Sequence, residues 1–346
     1  MSIVTRKKIY SEDGVDVEEE ASFSSFAGSI CKASYKNSSF IEIQDLSQGQ
    51  FRGPRPFLFK NLPEGYLIEA STDGIGTKGK LHWKKRTFKD AVQDAMAMNL
   101  NDMLAYKSIP YMMNCHVSMP HDDNEALFVI VKELVKECEK RHIAYVGGET
   151  SIMNNLDGVE ISITMAGYSV KQRENKANVG DYIVGFESSG IHCNGLTLAR
   201  LVLGEFYEDL TIPTTIYFDD LWYEIYNANA VINVTGGAFT RLKSLLANDI
   251  DINIPYWHML EPQQVFREMV YYGRDEVRVD SYRMYSTFNC GIGLLAFMPK
   301  ERAIDLVSKK LPFKAAIIGA VTEGNGKAII ESKFTGSTII IATAFP

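Results

Sequence analysis

A short polar turn at residues 71–78 carries residue types that bind a metal-bound polyphosphate. It reads Ser-Thr-Asp-Gly-Ile-Gly-Thr-Lys and follows an apolar run that predicts a β-strand. The glycines let the backbone turn sharply and point its N–H groups at an anion. Asp73 offers a carboxylate to Mg²⁺, and Lys78 offers a positive charge to phosphate. The other candidate residues of the turn are Gly74, Gly76 and Thr77.

Two other interpretations of this turn stay open from its residues alone. An Asp-Gly pair is typical of an ordinary β-hairpin turn. Gly74, Gly76 and Gly79 also match G-x-G-x-x-G, the spacing of a dinucleotide-binding fold, which should lead straight into an apolar helix. Residues 80–86 read Lys-Leu-His-Trp-Lys-Lys-Arg, a run too basic to predict a helix packed under a sheet. The sequence contains no Walker loop, so the turn alone indicates phosphate and no more.

Length and composition predict a globular protein with two domains. The 346 residues suffice for two cores, and 46% hydrophobic with 23% charged residues is ordinary for such a protein. The net charge of −7 argues against a nucleic-acid partner. The 5 cysteines include no C-x-x-C pair, which predicts neither a zinc site nor a disulfide framework. With no secretory signal and no apolar membrane span in the sequence, we expect a reduced, cytoplasmic protein with no membrane partner.

Predicted helices and strands alternate after the turn. Apolar spacing predicts a helix over residues 90–105, whose other face carries Asp94, Asn101 and Asp102. A polar face of this kind is ordinarily solvated. A second amphipathic helix is predicted over residues 127–138.

A glycine-rich segment lies between two further predicted strands. An apolar strand at residues 143–146 runs into Gly-Gly-Glu-Thr at residues 147–150. Residues 159–165 then alternate apolar and polar side chains, as a half-buried strand should. The polar segment at residues 171–178 is the predicted domain boundary.

Strand, glycine turn and helix recur in the second half of the chain. A strand at residues 182–186 precedes Ser-Ser-Gly-Ile-His-Cys-Asn-Gly at 188–195 and a helix at 196–203. Another strand, at residues 232–235, leads to a Gly-Gly pair and a further helix. Helices that start after glycine are natural anion sites. The alternation predicts a mixed α/β fold.

Several separated motifs together give the chain a resemblance to one family. They lie, in order, at residues 73–78, 101–102, 147–150, 188–195, 235–237 and 287–293. They resemble those of aminoimidazole ribonucleotide synthetase, the phosphoribosylformylglycinamidine cyclo-ligase of purine biosynthesis, and residues 10–16 also look like that family's start. The resemblance covers nearly the whole chain.

The resemblance implies an architecture and a reaction. An extension of residues 1–60 would precede an amino-terminal ATP-binding α/β domain, residues 61–172, and a carboxy-terminal α/β domain, residues 173–346. The protein would be a homodimer whose amino-terminal sheets pair into a barrel. With ATP and Mg²⁺ it would close the ring of a small-molecule ribonucleotide, formylglycinamidine ribonucleotide. The formyl oxygen would be phosphorylated, and the substrate's own amidine nitrogen would then displace phosphate, without a protein nucleophile.

The resemblance also implies residue roles. Asp73, Asp102 and Glu149 would hold the metal, and Lys78, His192 and Asp102 would be catalytic. The residues implied to bind ATP are Asp73, Gly74, Gly76, Thr77, Lys78, Asn101, Gly147, Gly148, Glu149, Thr150, Ser189 and Asn194. The residues implied to contact the substrate are Gly190, His192, Gly236, Gly237 and Asn289. Cys290 is interpreted as a core residue.

Departures from the family pattern lie mostly on the implied substrate side. They are Gln-Gly-Gln-Phe at 48–51, the segment 151–156, Cys115 in place of an Asp, Ala238 in place of a Gly, and Ser286 in place of an Arg. Two alternatives therefore stay open within the superfamily. One is a sister enzyme acting on another small molecule, such as thiamine-phosphate kinase or formylglycinamidine synthetase, and the other is a non-catalytic nucleotide-binding paralogue. A Rossmann oxidoreductase is a more distant interpretation.

Overall fold

Two units of chain make up the fold. The structure, a computed structural model, describes residues 17–44, 56–60, 65–170, 175–273 and 279–342. One unit comprises Met1–Met103 and Ser108–Gln172, and the other comprises Leu104–Lys107 and Arg173–Pro346. The family-like segments at residues 10–16 and 48–51 lie outside the described residues.

The first unit contains a mixed four-stranded sheet with helices on one side. Its strand order is β3 (Tyr66–Gly74), β6 (Glu160–Val170), β4 (Ile109–Met119) and β5 (Ala144–Ile152). The pair β4 and β5 is parallel and the other pairs are antiparallel. The helices are α1 (Val17–Ser34), α2 (Lys78–Lys85), α3 (Phe88–Ala105) and α4 (Asn124–Lys140), and a small ribbon joins β1 (Ile41–Ile43) to β2 (Phe57–Phe59).

Strand β6 shows that one face of this sheet is buried along the strand, whereas the other is covered only in part, by residues such as Ile41 and Phe57 of the β1–β2 ribbon. Ile161, Ile163 and Met165 are fully buried, whereas the alternate Ser162 and Thr164 are not. Alternation of this kind is produced by a sheet that packs on helices from one side only. Helices α1 and α4 lie against β5, and α2 lies against β6. The predicted strand at residues 159–165 is therefore confirmed as the half-buried element that its pattern indicated.

The structure corrects the prediction that the basic run after the phosphate-type turn is not a packed helix. Residues 78–85 do form a helix, α2, with Leu81 and His82 buried and Lys84 exposed. The packing is tight, because a Cβ at Gly79 would lie 1.7 Å from the carbonyl oxygen of Val159. A basic surface face and a short buried face coexist in this single helix, which residue composition alone did not reveal.

Two further differences concern the first unit. Residues 17–34, which the prediction placed in an extension before the first domain, form α1, and the ring of Phe26 packs at a tilt of 56° on Phe128 of α4, with ring centroids 4.3 Å apart. The strand predicted at residues 143–146 is longer than expected, because the Gly-Gly-Glu-Thr segment that follows it also lies within β5. The predicted helices at residues 90–105 and 127–138 are confirmed as α3 and α4.

The second unit is built on a seven-stranded sheet. Its order is β13 (Thr338–Ala342), β12 (Lys327–Glu331), β9 (Ile250–Ile254), β11 (Ala315–Glu323), β7 (Tyr182–Glu187), β10 (Ile292–Met298) and β8 (Ala230–Asn233). Its helices are α5 (Leu196–Leu203), α6 (Phe218–Ile225), α7 (Gln264–Tyr272), α8 (Ser281–Thr287) and α9 (Lys300–Ser308), with 3₁₀ helices at Glu208–Thr211 and Ala238–Leu245. Every residue of β10 is buried, so both faces of this strand are covered.

None of the helices in the described part of the chain combines the length and apolar character needed to cross a bilayer.

Candidate functional site

The phosphate-type turn joins the end of β3 to the start of α2. Ile75 is fully buried, whereas Gly76 and Thr77 are exposed, so one side chain anchors the turn and its neighbours face outward. Gly76 has φ +54°, a left-handed conformation that favours glycine. Asp73 Oδ1 accepts a hydrogen bond from the backbone N–H of Gly74 at 2.7 Å. An anion can reach the exposed part of this turn.

A buried asparagine ties this turn to α3. Asn99 Nδ2 donates to the carbonyl oxygens of Asp73, at 3.2 Å, and Ala95, at 3.0 Å. The side chain is fully buried, and its Oδ1 accepts no hydrogen bond from the described residues. Asp102, a half-buried predicted metal ligand, follows Asn99 by three residues on the same helix. Sequence reasoning missed Asn99, although its position one turn before Asp102 was a usable signal.

Glu160, the first residue of β6, faces the turn from the neighbouring strand. Its carboxylate accepts a hydrogen bond from the backbone N–H of Gly76, and Ser162 Oγ donates to it at 3.4 Å, whereas the backbone N–H of Ile75 donates to the Ile161 carbonyl oxygen at 3.2 Å. Burial raises the pKa of Glu160, the backbone N–H of Gly76 opposes that rise, and the nearby Asp73 carboxylate adds to it. Sequence reasoning missed this residue because only strand pairing places it beside the turn.

Lys78 is not at the surface of the turn. Its Nζ lies 2.8 Å from Asp94 Oδ1, and His82 Nε2 lies 2.8 Å from Asp94 Oδ2. All three side chains are fully buried, and His82 Nδ1 contacts the Thr87 hydroxyl at 2.7 Å. Burial alone would raise the pKa of Asp94, but the Lys78 ammonium and the His82 hydrogen bond outweigh it and hold the pKa well below its usual range. The expectation that Asp94 lies on a solvated face was wrong, and a contact between Lys78 and phosphate stays a prediction.

The remaining candidates of the first unit lie on α3 and β5. Asn101 is buried, and Glu149 is exposed, with its Oε1 accepting from the backbone N–H of Thr150 at 3.0 Å. Gly148 has a structural role, since a Cβ there would lie 2.1 Å from the Cys115 carbonyl oxygen. Gly147 shares this strand.

A metal ion in the first unit would need waters and phosphate oxygens as ligands in addition to the protein's carboxylates. Within the described ranges, no group of three or more His, Cys, Asp and Glu side chains could hold a metal by itself. Mg²⁺ commonly takes one or two protein carboxylates and completes its shell with waters and phosphate oxygens. Asp73 and Asp102 supply that chemistry. Cys115 does not, because burial raises the pKa of its thiol to about 12 and keeps it protonated.

In the second unit, Asn289 braces the loop that follows β7. Its Nδ2 donates to the carbonyl oxygens of Gly190, at 2.8 Å, and Ile191, at 3.3 Å. Its Oδ1 accepts from Ser188 Oγ at 3.0 Å and from the backbone N–H of Gly291 at 2.9 Å. The side chain is buried and both ends of its amide form hydrogen bonds within the protein, so Asn289 holds the shape of the loop. Cys290 is buried beside it, as expected.

His192 occupies a strained position in the same loop. It has φ +63° and is buried, and its Nε2 accepts a hydrogen bond from the backbone N–H of Ser189 at 3.3 Å. A Cβ at Gly293 would lie 2.6 Å from His192 Cε1, so β10 must carry glycine at this point. Left-handed non-glycine residues cost about 1–3 kcal/mol and cluster at functional sites. The Ser189 hydroxyl donates a hydrogen bond to the Pro213 carbonyl oxygen at 2.6 Å.

The structure brings two of the second unit's motifs together. Asn194 Oδ1 lies 3.4 Å from the position that a Cβ of Gly236 would take, and Asn194 Nδ2 is buried without a hydrogen-bond partner among the described residues. Gly236 and Gly237 are exposed, and Gly237 has φ +79°. The helix that follows them is a 3₁₀ helix. Arg241, which sequence reasoning missed, donates to the carbonyl oxygen of Gly236 at 3.2 Å.

Both units match one protein family. The N-terminal domain of AIR synthase related protein matches residues 58–169, and the C-terminal domain of AIR synthase related protein matches residues 178–331. The chain therefore belongs to the AIR synthase related family.

Named proteins are similar to this one over most of the chain. A phosphoribosylformylglycinamidine cyclo-ligase from Saccharolobus solfataricus is 29% identical over 330 residues, which is 92% of this chain and 95% of that protein. The solved thiamine-monophosphate kinase from Stenotrophomonas maltophilia matches with a TM-score of 0.63 and 16% identity, covering 88% of this chain and 95% of its own. Hydrogenase maturation protein HypE in complex with ATP matches with a TM-score of 0.57 and 15% identity, covering 83% and 87%. The two solved structures support the fold alone.

Proposed function

We propose that this protein cyclises formylglycinamidine ribonucleotide to aminoimidazole ribonucleotide with ATP, as a cytoplasmic homodimeric ligase. The observation that carries the proposal is its similarity to a cyclo-ligase along 92% of the chain. The exposed Gly76-Thr77 backbone beside Asp73 supports nucleotide use, as does the fold shared with an ATP-bound protein.

The reaction needs positioning and charge neutralisation rather than a protein nucleophile. The formyl oxygen of the substrate attacks the γ-phosphorus of ATP, and ADP leaves. The amidine nitrogen then attacks the formyl carbon, the carbon–oxygen bond breaks, and the oxygen departs as phosphate after a proton is lost from nitrogen. The protein's task is to hold the reactants in line and to neutralise phosphate charge.

The first unit would bind the nucleotide. Asp73 and Asp102 would hold Mg²⁺, with Glu149 as a further proposed ligand, and the metal would neutralise charge on the phosphate oxygens. The exposed amides of Gly76 and Thr77 would donate to phosphate. Lys78 can reach a phosphate only by leaving its ion pair with Asp94, so its proposed role includes that exchange of partners.

The second unit would bind the ribonucleotide. The exposed turn at Gly236 and Gly237 would take its phosphate, because a glycine turn before a helix presents free N–H groups. His192 would contact the transferring phosphoryl group, held in its strained backbone position by the Asn289 brace. The proposal therefore assigns nucleotide binding to the first unit and ribonucleotide binding to the second.

The homodimer has support from an apolar edge strand. Leu67 and Ile68, on edge strand β3, are 40% and 44% exposed. Exposed apolar side chains on an edge strand favour association with another copy. Analytical ultracentrifugation tests this proposal: the sedimentation coefficient should correspond to a dimer for the wild type and fall towards that of a monomer for Leu67→Lys and Ile68→Lys.

The deciding assay combines purified protein, Mg-ATP and formylglycinamidine ribonucleotide, with detection of the aminoimidazole product and of ADP. We expect product from the wild type and a loss of about 10² or more in turnover for Asp73→Asn, with Glu133→Gln on α4 as the control. Phosphorylation of another acceptor, such as thiamine monophosphate, without ring closure would instead support a sister kinase, which the solved kinase fold makes the second candidate. Binding of Mg-ATP without ADP release would support a non-catalytic paralogue.

A further inference from the structure

A carboxylate of the protein already contacts the phosphate-type turn. The backbone N–H of Gly76 donates to the side chain of Glu160, as it would to a phosphate oxygen, and the side chain lies beside Gly74 as well. The Ser162 hydroxyl donates to the same carboxylate. The turn therefore holds an anion of its own before any nucleotide arrives.

The sheet fixes this arrangement. Gly74 pairs with Ser162 across strands β3 and β6, so Glu160 lies two residues further along, beside the turn. A Cβ on Gly74 would lie 2.4 Å from Glu160 Oε1 and 2.7 Å from Ser162 Oγ. Slipping the register by one residue would move Glu160 to the other face of the sheet. The position of the carboxylate is thus a consequence of strand pairing.

Two negative charges would meet an incoming triphosphate at this turn. Asp73 is close enough to Glu160 for their charges to interact, and its own carboxylate accepts from the Gly74 N–H. Phosphate oxygens that accepted a hydrogen bond from the same Gly76 amide would face both carboxylates, and like charges that lie close together repel. A divalent cation reverses the sign of this interaction, because carboxylates and phosphate oxygens are both ligands that Mg²⁺ accepts.

We propose that Glu160 makes nucleotide binding depend on magnesium: its carboxylate accepts from the Gly76 N–H in the free protein and transfers to the cation when the metal–nucleotide complex binds. The inference rests on the proposed function, because it assumes that a nucleotide uses this turn. Glu160 is then the residue that excludes metal-free nucleotide from the site.

Calorimetric titration with a non-hydrolysable ATP analogue tests the proposal without catalysis. The proteins are wild type, Glu160→Gln, Glu160→Ala and the control Glu133→Gln, each titrated with EDTA and with Mg²⁺. Glu160→Gln keeps an acceptor for the Gly76 N–H but removes the charge. Without metal, we expect Glu160→Gln and Glu160→Ala to bind the analogue at least about tenfold more tightly than wild type. With Mg²⁺ the order should reverse, with both Glu160 variants binding more weakly than wild type and Glu133→Gln unchanged.

Two results would overturn the proposal in distinguishable ways. Normal binding with Mg²⁺, together with equal metal-free affinities for wild type and Glu160→Gln, would remove the role of Glu160 and leave the proposed function intact. Absence of binding by the wild type under both conditions would overturn the inference and the proposed function together.

Discussion

Lys78 Nζ lies 2.8 Å from Asp94 Oδ1, and neither side chain is exposed to solvent. Burying a lysine is costly unless a carboxylate compensates its charge. Here that carboxylate also forms a hydrogen bond with His82, whose Nε2 lies 2.8 Å from Asp94 Oδ2. The pair joins the first residue of α2 to α3. The phosphate-type turn is consequently held by an ionic contact on one side and by Ile75 in the core.

Asp94→Asn should destabilise the protein by about 3–5 kcal/mol at about pH 7, because it leaves the Lys78 ammonium buried and uncompensated. The folded-state pKa of Asp94 is depressed, so its contribution is present above the unfolded pKa and is lost as pH falls through the folded one. The difference between the two proteins should therefore shrink below about pH 4. Urea denaturation at several pH values measures it.

Asp90→Asn provides the matched control for that experiment. Asp90 is in the first turn of the same helix, where a carboxylate contributes about 1 kcal/mol or less. Equal costs for the two substitutions would contradict the importance of the buried pair.

Gly74→Ala and Gly79→Ala should differ in how they can be rescued. The new methyl at residue 74 meets Glu160 Oε1 at 2.4 Å, the end of a side chain, whereas the methyl at residue 79 meets the Val159 carbonyl oxygen at 1.7 Å. Gly74→Ala should cost about 1–3 kcal/mol and recover partly in combination with Glu160→Ala. Gly79→Ala should cost more and show no recovery with Glu160→Ala. A double-mutant cycle by denaturation measures both, and additive effects at Gly74 and Glu160 would refute the steric account.

His258 should make the second unit sensitive to mild acid. Burial and the nearby Lys333 lower the pKa of His258 from 6.5 to about 4, although Glu261 opposes them. Since the unfolded chain takes up the proton first, stability should fall as pH drops from 6.5 towards 4. His258→Gln should flatten that part of the profile of melting temperature against pH. The exposed His121→Gln is the control, and identical slopes for wild type and His258→Gln would contradict the prediction.

Asn289→Ala should impair both stability and turnover. The substitution removes the hydrogen bonds to the carbonyl oxygens of Gly190 and Ile191 and leaves these acceptors unpaired in a buried loop. The free energy of unfolding should fall by about 2–3 kcal/mol. Because the same loop sets the strained conformation of His192, turnover should fall even where the protein is fully folded. Denaturation and the cyclisation assay measure the two effects. Ser286→Ala, at a half-buried position nearby, should change neither, and full activity of Asn289→Ala would show that the brace is dispensable.

The elements with strong apolar periodicity could be predicted from the sequence. Helices α3 and α4 and strand β7 were placed within a few residues because their spacing repeats over enough residues to identify one face. Helix α2 was missed, since its buried face comprises few side chains in a strongly basic run. The length of β5 was underestimated because glycines within a strand resemble a turn.

The sequence by itself determined the residue chemistry: an acid, glycines and a hydroxyl in one turn, and the ordered motifs that identify the family. Tertiary structure decided how those groups are used. Pairing of β3 with β6 brought Glu160 to the turn at Gly76, and packing of α2 on α3 placed Lys78 against Asp94. Local spacing cannot reveal such partners, because charges and hydrogen bonds between segments far apart in the chain depend on strand register and helix packing.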